Sequence, residues 1–121
     1  MNKMIKVAFH IALVFPASIV LACDYPALPR NLPDGATASK DEMLAGVKVI
    51  SVYQETMAEY LTCIEADEIV AAQALARDDE EGKRQRKIMF DKKYDAAVNE
   101  QTKTVEQFNA EIRAYKSRSN E

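Results

Sequence analysis

Two runs of apolar side chains, each spaced alternately by four and three residues, constrain this chain more than any other feature. The first runs through Met43, Val47, Ile50, Met57, Leu61, Ile64, Ala71 and Leu75, interrupted only by Gln54 and Glu68. The second runs through Tyr94, Val98, Gln101, Val105, Phe108, Ile112 and Tyr115. Such spacing puts every member on one stripe of an α-helix, and a stripe held over several heptads seeks a partner helix. Ala, Glu, Lys, Arg, Met and Gln dominate from residue 40 onward, which is helix-forming chemistry. Ser39-Lys40-Asp41-Glu42 has the form of a capping box, with Ser39 as the helix N-cap.

Between the stripes lies a charged stretch from Arg77 to Lys87. Read as a solvated part of one uninterrupted helix, it gives a long helix that dimerises. Two arguments favour a turn instead. Ending one helix near Arg77 and starting the next at Asp78 or Asp79 places a cation at a C-terminus and acids at an N-terminus, as the helix dipole prefers. In an antiparallel pair, facing residue numbers have a constant sum. A sum of 155 matches Met43 with Ile112, Val47 with Phe108, Ile50 with Val105, Met57 with Val98 and Leu61 with Tyr94. The same register sets Gln54 opposite Gln101 and Glu68 opposite Lys87, so polar interruptions meet each other. It leaves Ile64 facing Asp91. A one-heptad shift would move the turn to Glu81-Gly82 and break both polar matches.

The expected fold is therefore all-α: an antiparallel two-helix hairpin, coiled-coil-like, preceded by an extended Pro-rich N-terminal arm. The arm is 23–38, with three prolines and a Pro-Asp-Gly turn signal that exclude a helix or a central strand. Tyr25, Leu28 and Leu32 are its apolar members. The hairpin is 39–121, with helix 1 at about 40–76, a turn at about 77–79 and helix 2 at about 80–117.

Residues 1–22 carry Lys3 and Lys6, an apolar run from Val7 to Ala22, and the exit Val20-Leu21-Ala22. That order describes a secretory signal peptide. The run is about 16 residues, shorter than the ~20 of a bilayer-spanning helix, and Pro16 interrupts it. Processing after Ala22 would leave Cys23 first and place the chain in the periplasm. Two fates then compete for Cys23. Exported compartments favour disulfides, and Cys63 is the one other cysteine, so a Cys23–Cys63 bond is the preferred reading. Val20-Leu21-Ala22-Cys23 also approaches a lipoprotein box, which would anchor the chain to a membrane through Cys23.

Composition excludes several functions. Without the signal the chain has 14 basic and 19 acidic residues, a net charge of −5. An acidic chain is poorly built to neutralise nucleic-acid phosphates, so no nucleic-acid partner is expected. His10 is the sole histidine and leaves with the signal. The processed chain then has no imidazole for a Ser-His or Cys-His nucleophile or for an ordinary zinc site. It has no CxxC and no Gly-rich phosphate loop. Asp78, Asp79, Glu80 and Glu81 form the densest acidic cluster. They read as the acidic first turn of helix 2, with weak divalent-cation binding as the alternative. Tyr53 and Tyr60, and Tyr94 and Tyr115, lie at helical spacing and read as core or arm packing, with a ligand platform as the alternative. No catalytic residue, metal ligand or cofactor is expected, and the chain is read as a non-enzyme.

Five segments carry a resemblance: Cys23–Pro26, Leu32–Ala38, Asp41–Leu44, Tyr60–Glu65 and Phe108–Lys116. Together with the signal peptide they resemble a group of small exported bacterial proteins of unknown function, over nearly the whole processed chain. The resemblance implies the same arm-and-hairpin architecture; it carries no known activity and leaves function open.

The expected role is that of a structural or protein-interaction hairpin of the envelope, with another protein or a second copy as partner. A periplasmic chaperone or stress adaptor is one alternative. Leu61-Thr62 is followed by Cys63-Ile64-Glu65, without the glutamine of the Leu-Thr-x-x-Gln signature of such chaperones. A small inhibitor of a cell-wall-degrading enzyme is the other, supported by size and location alone.

Overall fold

The computed structural model describes residues 23–119; the signal peptide assigned to residues 1–22 lies outside them. The arm, 23–39, leads into helix α1, Lys40–Gln73, and helix α2, Glu80–Ser119, follows a short turn. The described residues form no strand. The two helices pack antiparallel along their length, and the arm lies in the groove between them as a third layer.

Local chemistry sets each boundary. Ser39 starts α1 with a complete capping box: its hydroxyl accepts the Glu42 N–H at 3.3 Å, and the Glu42 carboxylate accepts the Ser39 N–H at 2.6 Å. The Ser39 N–H foremost, and then the Ser39 hydroxyl, which also donates to that carboxylate at 2.8 Å, hold the Glu42 carboxyl below its ordinary pKa. The helix ends at Gln73, three residues before the expected position. Residues 74–79 make the turn, in which Leu75 N–H reaches Ala72 O and Asp79 N–H reaches Ala76 O. Asp79 then caps α2, its carboxylate accepting the Gly82 N–H at 2.8 Å.

The register differs from the expected one by a single residue. Gly46 meets Phe108, and Glu68 pairs with Arg86 at 2.7 Å, both pairs summing to 154 instead of 155. Glu68 thus takes Arg86 as its partner, not Lys87. The slip resolves the one misfit in the sequence register. Phe90, not Asp91, packs on the cluster that contains Ile64, while Asp91 turns along its own helix to Lys87 at 2.6 Å.

The buried stripe is rotated to match. On α1 it comprises Met43, Gly46, Ile50, Tyr53, Met57, Tyr60 and Ile64. Val47 was expected in the seam and is 42% exposed; Gly46 holds its place beneath Phe108. Gln54 is exposed, so it does not meet Gln101, and Leu61 is half-buried beside Tyr60. On α2 the buried positions are Ala97, Thr104 and Phe108, with Tyr94, Val98, Val105 and Ile112 half-buried at the margins. The arm causes this rotation. A plain two-helix seam would centre on 47, 54, 61, 98 and 105. A third segment in the groove draws the buried face of both helices toward itself.

Candidate functional site

The arm is held to both helices at several points, and these contacts bring together most of the distinctive side chains. At its start, Cys23 is bonded to Cys63 on α1, 40 residues away, with Cα atoms 5.7 Å apart. Cys23 also packs on the cluster of Tyr53, Met57, Tyr60, Ile64 and Ala97. A sulfur joined to Cys63 has no valence for a thioether lipid, so disulfide and lipid anchor exclude each other.

Two residues on, the Tyr25 ring meets Tyr60 edge-on with centroids 4.9 Å apart. Its hydroxyl donates to Glu100 of α2 at 2.5 Å. Partial burial, then the Glu100 carboxylate, pushes the Tyr25 pKa well above the tyrosine range. Leu28 is half exposed, so of the apolar arm residues it is Leu32 that joins the core. Lys93 of α2 lies over the opposite partner of the pair, 5.9 Å from the Tyr60 centroid.

Deeper in the groove, the Tyr53 hydroxyl is buried with no hydrogen-bond partner among the described residues. Burial raises its pKa; the Thr104 hydroxyl opposes that rise without reaching bonding geometry. Unpaired buried hydroxyls are uncommon and costly.

The far end of the arm is a tight turn. Asp34 accepts from the Ala36 N–H through its side chain and from the Thr37 and Ala38 N–H groups through its carbonyl. This is the Pro-Asp-Gly turn expected from the sequence. The Gly35 N–H donates to Glu111 at 2.8 Å, and Arg118 donates to the Ala38 carbonyl. Glu100, Glu111 and Arg118 therefore tie the arm to α2, as the disulfide ties it to α1.

The acidic cluster at the turn is engaged internally. Asp79 caps the helix, Glu80 pairs with Lys83 at 2.8 Å, and Glu81 with Arg84 at 2.6 Å. Arg84, then Gln85, holds the Glu81 carboxyl below its ordinary pKa. Elsewhere, Cys23, Cys63 and Asp67 bring two sulfurs and a carboxylate oxygen within 4.8 Å of one another. With the sulfurs bonded together, neither is the thiolate a metal requires.

The sequence pointed to Cys23, Cys63, Ser39 and the tyrosines; the fold joins Cys23, Cys63, Tyr25, Tyr53, Tyr60 and Tyr94 in one clasp, while Tyr115 packs on the second cluster with Ala38 and Phe108, and Ser39 caps α1. Nothing in the sequence singled out Glu100, Glu111, Arg118 or Asp67. The heptad repeat Gly46, Tyr53, Tyr60 was the signal that could have located the arm groove. No protein family, curated protein or solved structure matches the chain.

Proposed function

We propose that this is a non-enzymatic exported protein of the bacterial envelope, a disulfide-tied helical hairpin that works by binding another envelope protein. Export is supported by the signal-like residues 1–22 and by the Cys23–Cys63 bond, since such bonds persist in oxidising compartments. The interaction role is carried by one observation. The outer face of α1, away from α2, holds large apolar side chains: Val52 at 58%, Ile69 at 59% and Val70 at 68% exposure. A helix serving only as scaffold keeps its outer face polar.

The first half is tested by the intact mass of the natively exported protein. It should begin at Cys23 and be two hydrogens lighter than the reduced chain. A lipid adduct or a retained signal would refute it. The second half is tested by photo-crosslinkers placed at Val52 and Ile69 and, as a control, at Asn99 on the outer face of α2. Discrete adducts from α1 alone are expected. Equal or absent crosslinking from all three sites would remove the interaction role.

A further inference from the structure

We propose that Asp67 is the docking point for the α-amino group exposed at Cys23 by signal cleavage, so that processing adds an ion pair beside the disulfide. The inference rests on the export reading given above.

Asp67 stands one helical turn after Cys63, and residues four apart share a helix face. Its carboxylate consequently lies over the disulfide, with Oδ2 3.2 Å from Cys23 Sγ. A disulfide sulfur has no proton to give, so this contact is not a hydrogen bond. No cation pairs with Asp67 among the described residues. The carboxylate thus rests against Cys23, exposed to solvent and without a protein donor among the described residues.

The missing donor is supplied by processing. The Cys23 nitrogen is three bonds from its own Sγ and so lies within about 4 Å of it and within about 7 Å of Asp67 Oδ2, a gap that the exposed Asp67 side chain is free to close. In the uncleaved chain that nitrogen is a neutral amide. After cleavage it is an ammonium group with three donors. The charges around it favour this state. From α1, Asp67 and Glu59 lie one turn to either side of Cys63; from the arm there is Asp24. From α2, Lys93 is the opposing cation, drawn over the Tyr60 ring. Three carboxylates outweigh one ammonium. Both bonds at Cys23, the disulfide and the ion pair, then belong only to the exported and processed chain.

The test compares chains of defined start, with the disulfide intact: one beginning at Cys23, and one retaining Leu21-Ala22, which moves the new amine about 7 Å away. Each is made with Asp67 and with Asp67→Asn. In the Cys23 chain, NMR titration should place the α-amine pKa at least about half a unit above its usual 7.7–8.0, returning to that range with Asp67→Asn. The same substitution should lower the Tm by roughly 2–4 °C in the Cys23 chain and leave the longer chain unchanged. An α-amine that titrates alike with and without Asp67 would overturn the proposal. So would an equal loss of Tm in both chains. The start of the natural protein is read separately from its mass, so failure of the export reading is distinguishable from failure of this one.

Discussion

The ring of Phe108 lies so close over Gly46 that a methyl group on that glycine would sit 2.8 Å from two ring carbons and from Pro33 Cδ. Arm, α1 and α2 therefore meet at one residue with no room for a side chain. Alanine is the better helix former by about 1 kcal/mol, which would ordinarily make the substitution stabilising. Here overpacking of about 1–3 kcal/mol opposes that gain. Gly46→Ala should come out destabilising by roughly 1 kcal/mol in urea melts. A more stable variant would show that the arm does not press on this site.

Gly35 is confined more tightly. An added Cβ would lie 1.9 Å from the Glu111 carbonyl oxygen and 2.9 Å from the Tyr115 nitrogen. Its φ is not positive, so space and not backbone angle requires the glycine. Helix backbone cannot rotate aside as a side chain can. Gly35→Ala is expected to lift the 32–38 turn from α2 at a cost of about 3 kcal/mol. Hydrogen exchange should quicken at the Gly35, Thr37 and Ala38 amides with the disulfide intact. Unchanged protection at those amides would contradict this packing.

Cys63→Ser opens a loop of 40 residues, worth about 4 kcal/mol in the chain-entropy description. That is a large share of the stability of so small a domain. The Tm should fall steeply. A reductant should lower the wild-type Tm by a similar amount and leave the variant alone. If reduction changes nothing in the wild type, the bond is not a main tie of the fold.

Alkaline pH should loosen the clasp. Tyr25, Tyr53 and Tyr60 all have pKa values raised by burial, with the Glu100 carboxylate adding to the effect at Tyr25. Their contribution is complete below the unfolded tyrosine pKa of about 10. Above it the unfolded chain binds fewer protons than the folded one, so stability declines with pH. In the Asp67→Asn chain, which lacks the α-amine pair, thermal melts should hold steady to about pH 10 and fall beyond it, less steeply when Tyr25→Phe is added. A Tm that rises above that pH would reverse the assigned sign.

The hairpin was legible in the sequence because its determinants are local or periodic. Ser39 and Glu42 announce the start of α1, the acids at 78–81 announce α2, and two four-and-three stripes set the antiparallel register to within one residue. The last residue of register was not legible, because it depends on the arm. Val47 and Val98 are the better seam residues for two bare helices. Gly46 and Ala97 are better once a third segment must fit, and periodicity alone does not count that segment. The partners of the arm were hidden for a related reason. Glu100, Glu111 and Arg118 are ordinary charged residues of a charged helix until the arm is laid against them.

The bond between Cys23 and Cys63 also gives the chain a mechanical character. It closes the arm and the larger part of α1 into a ring of polypeptide. Tension applied between residue 23 and the C-terminus would pass through the two sulfurs straight to residue 63. The 40 bridged residues, about 140 Å of contour length at full extension, would stay slack. A pull on the oxidised protein would peel α2 away and stop short, whereas the reduced chain would pay out its whole length.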